Sequence, residues 1–442
     1  MSRALVAQRD ANRLAANNLT LFQGHRPHVL MLTDVFHPRI NGVSTSIETF
    51  CSALSAQGVR VTLVAPEYPD SATAADASTN ALPADILRLP SRAVPLDPED
   101  RLMRWKPLAE LDRRLASDRR KSPWGADFRD IDLVHVQTPF AAHYAGLRLA
   151  RRLGIPCLAT YHTHFEEYLF HYIRFLPKAA LRFAARALAR QQCNALDAVV
   201  VPSPAMAETL RSYGIRSPLH VIPTGMPENQ FVRGNGERFR RQWGIATTRK
   251  LALFVGRAAF EKNIGFLLQM TALAIKVEPQ LMLVVAGEGP ALPALRRQAT
   301  DLRIDDHVRF VGYLPRASGL RDCYAAADVF TFASHTETQG LVLLEAMAVG
   351  LPVLAIPALG VAGIVAPHRG AIAAEDTVAA FAGQLLSLFE RPDRLAAMSR
   401  DAIAFAREWD ADAQGARLAA LYRSLLRAPR PVYAARRQAV AQ

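Results

Sequence analysis

Four cysteines among 442 residues, Cys51, Cys157, Cys193 and Cys323, stand far apart, with no CxxC and no Cys/His ligand spacing. That scarcity excludes a disulfide-built scaffold and a zinc module, and points to buried thiols in a reducing compartment. An apolar leader is missing as well. Met1 to Asn18 carry charge throughout, so no secretory signal is expected. Uninterrupted hydrophobic runs are scarce. Ala346 to Pro367 is uncharged and long enough to span a bilayer. However, Gly350, Pro352, Pro357, Gly360 and Gly363 cut it into a helix end, a strand and turns, the pattern of a buried core. No GxGxxG follows the first strand, which disfavours a nicotinamide enzyme. The largest shortage is of acid: 40 Asp and Glu face 53 Lys and Arg, a net charge of +13. Such an imbalance calls for an anionic partner, whether nucleic acid, an anionic membrane surface or a phosphorylated substrate.

What is present reads as a globular α/β chain, half hydrophobic and long enough for two domains. The expected division is a polar leader at 1–26 and a first domain at 27–220. A second domain follows at 221–410, then a C-terminal helix and basic tail at 411–442. The first domain opens with a buried strand at His28–Asp34 and a turn at Pro38–Gly42. A helix at Val43–Gln57, closed by Gly58, leads to a strand at Val59–Ala65, a Rossmann-like unit. Glu67 to Asp100 reads mostly as loop, and Arg101 to Lys121 as a basic helix. Further strands are expected at Leu133–Val136, Leu158–Thr160 and Ala198–Val201, with Val221–Gly225 opening the linker. The pattern then restarts at Leu251–Val255 and continues to Val329–Ala333. A final helical stretch, Arg391 to Leu426, is long enough to return to the first domain.

Candidate site residues follow from position. Gly42 would let the backbone approach a ligand phosphate at a helix N-terminus, or simply serve a tight turn. His162 lies where a strand ends, the place where α/β sheets bind ligands, and so outranks His135 inside its strand. His164, Glu166 and Glu167 are weaker candidates. Asp130-Ile-Asp132 has the form of a metal-binding DxD but directly precedes a strand, which favours a solvated strand entrance; no metal site is assigned. Between Leu176 and Gln191 a helix is expected. Arg174, Lys178, Arg182, Arg186 and Arg190 recur there every four residues with no acid between them. Leu181, Ala184, Ala185 and Leu188 would supply its apolar face. This cationic stripe suits either a solvated surface or an anionic lipid surface. Nucleic acid is disfavoured, since no aromatic platform or recognition-helix pattern accompanies the charge.

In the second half, Arg257 and Lys262 share the loop after one strand, where fixed cations suit a departing diphosphate. The Gly287 to Pro290 turn, with Gly289, allows close backbone approach. Glu337 sits at a polar turn and Glu345 inside the apolar helix that follows, eight positions on. Glu345 could accept both hydroxyls of a ribose. Together these residues describe a site for a nucleoside diphosphate, with no cofactor and no metal required for its departure.

Asn41-Gly42-Val43, Thr160-Tyr-His162-Thr163, Gly256-Arg257 with Lys262-Asn263, Gly287-x-Gly289-Pro290 and Glu337-x7-Glu345 together resemble the retaining glycosyltransferases of family 4. The likeness runs from Pro27 to Trp409. It implies the GT-B fold, two Rossmann-like doubly wound domains facing an interdomain cleft. It implies that Arg257 and Lys262 bind the donor pyrophosphate and stabilise the leaving group, with Gly42 beneath it. Glu345 would hold the ribose, Glu337 the donor sugar hydroxyls, and His162 would border the reacting sugar. Three stretches, Thr33–Val43, Thr160–Tyr168 and Ser334–Gly340, look most like enzymes that glycosylate lipids: diacylglycerol glucosyltransferases and glycolipid mannosyltransferases. The implied activity is hexose transfer from a nucleotide sugar, UDP-glucose first, to a membrane lipid such as diacylglycerol. The enzyme would sit at the inner face of the cytoplasmic membrane; the sequence leaves its oligomeric state open. A GDP-mannose or polysaccharide-building enzyme is the alternative within the class. Outside it stand a basic nucleic-acid-binding protein and a hydrolase or epimerase of nucleotide sugars. Glu67 to Lys121 matches nothing in the family, which leaves the acceptor open.

Overall fold

The computed structural model describes residues 26–68, 82–94, 97–116, 131–162, 178–316 and 318–428. Its first half contains β1 (His28–Leu32), β2 (Arg60–Pro66), β3 (Asp85–Leu89), β4 (Ser91–Val94), β5 (Asp97–Met103), β6 (Leu133–Val136), β7 (Cys157–Thr160), β8 (Ala198–Val201) and β9 (Leu219–Val221). Seven of these form a parallel sheet in the order β3-β2-β1-β6-β7-β8-β9, while β4 and β5 make a separate antiparallel pair. The second half contributes β10 (Lys250–Val255), β11 (Leu281–Ala286), β12 (Val308–Gly312), β13 (Val329–Phe332), β14 (Val353–Ala355) and β15 (Ala371–Ala373). They form a second parallel sheet, β12-β11-β10-β13-β14-β15. Both sheets reverse their winding beside their first strand, between β1 and β6 and between β10 and β13. Strand connections diverge there and open a crevice at the carboxyl ends.

Burial explains the strand sequences. A parallel sheet covered on both faces needs apolar side chains at every position, and β1, β6, β8 and β11 are buried throughout. Alternate residues point to opposite sides: Leu30 and Leu32 join one core, Val29 and Met31 the other. The helices at Trp105–Ala116, Ala141–Leu153, Lys178–Cys193 and Pro204–Ser212 supply residues to the first core. The opposite face receives the helix Gly42–Ala56 and is completed by the last helix, Ala411–Arg427. Gly415 makes that contact possible, because a Cβ there would lie 2.4 Å from the Ala53 Cβ. Tyr422 reaches through the core, its hydroxyl 2.7 Å from His135 Nδ1.

Several expectations need correction. Glu67 to Asp100 is not mostly loop among its described residues. It holds β3, in which Leu87 and Leu89 alternate inward along an edge strand, and the β4–β5 pair, tied by Arg101 Nε donating to Ser91 Oγ at 2.7 Å. Prolines and charges hid these strands because edge positions tolerate both. The helix expected from Arg101 begins only at Trp105. Ala198–Val201 does not end the first sheet, since β9 adds an edge strand that uses Val221. The stretch Arg391 to Leu426 is two helices, Pro392–Arg407 on the second domain and Ala411–Arg427 on the first. Between them the chain crosses back beside the outward linker, where the Met226 amide donates to the Trp409 carbonyl at 2.5 Å. The leader and the basic tail beyond residue 428 lie outside the described residues.

Candidate active site

The two switch points face each other across a cleft of about 560 Å³. Its walls come from loops at the carboxyl ends of strands in both domains.

On the second domain, the loop after β10 carries Arg257 and Lys262, and the loop after β13 carries Glu337. Asn263 joins them: in the left-handed conformation (φ 54°), its side-chain amide donates to the Ala333 carbonyl at 3.1 Å. Asparagine tolerates that backbone better than most residues. The Ser334 hydroxyl adds a bond to the Glu261 carbonyl at 3.0 Å. So fixed, Lys262 Nζ lies 2.6 Å from Glu337 Oε2. Burial alone would lower the lysine's pKa, but the charge and hydrogen bond of Glu337, with Glu261, raise it above the ordinary range. Lys262 is therefore a permanent cation. Glu345 lies deeper in the helix Leu341–Ala348, with 7 % of its side chain exposed. The Tyr324 hydroxyl donates to Oε2 at 3.0 Å and Arg316 holds Oε1. Gly287 lines the cleft, and its missing side chain has a local cause: a Cβ there would come 1.9 Å from the Gly256 carbonyl oxygen. Gly289 does not line the cleft. Its Cβ would strike the Ala258 carbonyl oxygen at 2.6 Å, so this glycine shapes the turn beneath the site.

The first domain presents the N-terminus of the helix Gly42–Ala56. Asn41 caps it, accepting from the amides of Val43 at 2.9 Å and Ser44 at 3.0 Å, while Ser44 Oγ caps the Asn41 amide in return. A side chain at Gly42 would meet nothing within 4 Å; the glycine faces open cleft. His162 also borders the cleft, its Nε2 2.9 Å from Gln137 Oε1. Burial pushes its pKa down to about 4, so it is neutral at neutral pH. His135 is core: Tyr422 and Thr160 occupy its two ring nitrogens and burial pushes its pKa to about 3. Asp132 lies at the amino end of β6, away from the cleft, accepting from the His28 amide at 2.8 Å. Asp130, His164, Glu166 and Glu167 lie outside the described residues.

Side chains that the motifs did not single out close the site. The Thr338 hydroxyl donates across the cleft to the His162 carbonyl at 2.7 Å, and Ser203 Oγ donates to the Thr338 carbonyl at 2.8 Å. Gln339 bonds both the amide and the carbonyl of Thr224, at 2.9 and 2.7 Å. Arg316, on the loop after β12, donates to Thr45 Oγ1 of the other domain at 3.0 Å. A cation after a strand's carboxyl end was the signal that selected Arg257, and it could have found Arg316. Asp34 was legible only as the end of a strand. Its Oδ2 accepts from Thr138 Oγ1 at 2.8 Å and from the Ala142 amide at 3.0 Å, capping a helix whose own N-cap, Phe140, offers no side-chain bond.

A second cavity of about 170 Å³ adjoins the cleft at His162 and Arg257. Val35, Pro139, Phe140 and Leu196 make much of its wall. The cationic helix spans Lys178–Cys193, and Arg174 lies outside the described residues. Its expected apolar face is half right. Leu181 and Ala185 are buried with Ala189, but Ala184 and Leu188 are exposed beside Arg182, Arg186 and Arg190. The stripe winds because 3.6 residues make a turn rather than four. Arg186 thus stacks on the Tyr213 ring at 5.1 Å. Phe183, 72 % exposed, joins the outer face, and Tyr144 on the neighbouring helix is also exposed. Among the described residues, no helix is long and apolar enough to cross a membrane, and no cluster could hold a metal ion.

The family models agree with this geometry. Residues 40–230 match the model described as Glycosyltransferase Family 4, and residues 235–405 match Glycosyl transferases group 1. The chain is a family 4 glycosyltransferase. Among curated proteins, the glycosyltransferase is 35 % identical to an alpha-monoglucosyldiacylglycerol synthase of Streptococcus pneumoniae, over 74 % of this chain and 70 % of that one. It is 30 % identical to a GDP-mannose-dependent alpha-mannosyltransferase of Mycobacterium tuberculosis, over 77 % and 82 %. Solved structures establish the GT-B fold. Sucrose-phosphate synthase of Thermosynechococcus elongatus superposes with a TM-score of 0.71 at 21 % identity, covering 90 % of this chain and 99 % of that one. Anabaena HepE, solved with UDP and glucose, gives 0.69 at 18 %, with the same coverage.

Proposed function

We propose that this glycosyltransferase moves a hexose from a nucleotide diphosphate sugar, UDP-glucose foremost, to a hydroxyl of a membrane lipid such as diacylglycerol, with retention. The observation that carries the reading is the convergence of Arg257, Lys262, Glu337 and Glu345 on one switch point, with neutral His162 opposite. In this reading Arg257 and Lys262 receive the negative charge that grows on the leaving diphosphate, without a metal. Glu337 orients the sugar hydroxyls while its bond to Lys262 holds both groups in register. The leaving phosphate takes the acceptor's proton, and His162 fixes the sugar's near edge. Streptococcal likeness favours glucose and diacylglycerol; the mycobacterial likeness supports GDP-mannose as the second reading.

The acceptor enters, in our reading, by the apolar cavity beside His162. The exposed Phe183, Leu188 and Tyr144 with the neighbouring arginines dock on an anionic inner leaflet. One experiment tests the whole scheme. Purified enzyme is incubated in EDTA with UDP-glucose, UDP-galactose or GDP-mannose and diacylglycerol dispersed in anionic or zwitterionic vesicles. An alpha-glucosyl lipid formed from UDP-glucose, faster on anionic vesicles and slowed by high salt, is the expected result. A mannosyl product moves the assignment to the second reading. No lipid product from any donor overturns the lipid acceptor.

A further inference from the structure

The cleft contains a cation that the donor chemistry just described does not use. Glu345 is almost wholly buried, and a buried carboxylate without a compensating charge is strongly unfavourable. Tyr324 gives its Oε2 a neutral hydrogen bond, so the compensating charge comes from Arg316, which holds Oε1. Arg316 does more than neutralise. Its other terminal nitrogen donates to Thr45 Oγ1 at 3.0 Å, in the first turn of the helix that begins at Gly42. Glu48, one turn further along, adds its field to the guanidinium. One side chain therefore ties the donor-domain acid to the acceptor domain.

This arrangement leaves both oxygens of Glu345 engaged. A ribose that presents two hydroxyls to Glu345 needs those same oxygens. We propose that Arg316 is a stand-in for the donor ribose: it occupies Glu345 while the cleft is empty and yields Oε1 when a ribose hydroxyl arrives. The guanidinium then stays on the acceptor-domain side, held by Thr45 and Glu48. The proposal rests on the reading of Glu345 as the ribose's partner. It makes Arg316 a specificity-determining residue, because only a ligand with the right hydroxyls displaces it. A bare diphosphate at Arg257 and Lys262 leaves it in place. Donor entry also becomes coupled to the interdomain contact, since the ion pair and the Thr45 bond share one guanidinium.

Calorimetric titration of the full chain tests this, using UDP, GDP, their 2′-deoxy counterparts and inorganic pyrophosphate. Arg316→Met should lower the melting temperature without ligand, yet bind UDP or GDP about 3- to 10-fold more tightly, since a competitor has gone. Pyrophosphate affinity should not change. Thr45→Val keeps the Glu345 pair but removes the partner that holds the released guanidinium, so it should weaken nucleotide binding by about 2-fold. It also serves if Arg316→Met does not fold. Weaker nucleotide binding in Arg316→Met would make Arg316 a donor ligand, and unchanged binding in either variant a spectator; either result overturns the proposal. If the wild type binds the 2′-deoxy nucleotides as tightly as UDP and GDP, Glu345 does not hold the ribose, and both readings fall together.

Discussion

The two halves repeat one architecture and treat a buried acid in opposite ways. In the second domain Glu345 is neutralised by a guanidinium, accepts a hydrogen bond from a hydroxyl and lines the interdomain cleft. In the first domain Asp34 is equally buried, yet its bonds come from the Thr138 hydroxyl and the Ala142 amide, and no cation pairs with it among the described residues. Burial pushes the pKa of Asp34 up to about 6. The second domain thus keeps a compensated charge in the cleft. The first uses its acid to fasten a helix, and borders a largely apolar cavity beside His162, where the function proposed above puts the lipid hydroxyl.

The comparison predicts unequal damage. Glu337→Ala and Lys262→Ala should each reduce initial transfer rates by roughly 10³-fold or more, with the protein still folded by circular dichroism. Near-wild-type rates in either would remove that residue from the donor machinery. On the acceptor side, His162→Ala should lower kcat by about 10²-fold while UDP affinity, read by calorimetry, stays within a factor of two. A loss confined to affinity would put His162 on the donor side and erase the distinction.

Asp34 sharpens the contrast through pH. Its folded pKa lies above its ordinary value near 3.8, so the folded state binds more protons and stability falls as pH rises from about 4 to about 6. Carrying that carboxyl from near 3.8 to about 6 corresponds to roughly 3 kcal/mol. Asp34→Asn should flatten that slope in urea melts at pH 4.5 and 7.5; an unchanged slope would place the titrating group elsewhere. Smallest of all, Tyr422→Phe removes the hydroxyl bond to His135 and should cost about 1 kcal/mol. If the loss appears in the donor domain's melting rather than the acceptor domain's, the last helix does not belong to the first sheet.

Legibility followed the same divide. Most central strands lay where apolar runs placed them, because a sheet covered on both faces leaves no polar position to blur the signal. The cleft residues of the second domain were legible because Arg257 and Lys262 share one short strand-to-helix connection, and Glu337 lies in another with Glu345 in the helix that follows directly, so sequence spacing nearly equals spatial spacing. The misses were edges and crossings. β3, β4, β5 and β9 are edge or outlying strands, where composition relaxes. Arg316, Thr338 and Gln339 look ordinary until the opposite domain arrives beside them.

Sequence alone determined the two doubly wound domains, the cationic loop and the paired glutamates, because hydrophobic period and local turn chemistry are properties of contiguous residues. Only the tertiary structure decided which face of the first sheet the last helix covers, that Gly287 and Gly289 serve backbone packing, and that Arg316 sits on Glu345. Those outcomes join residues tens to hundreds of positions apart, and nothing in local sequence encodes which distant carbonyl, carboxylate or helix will complete them.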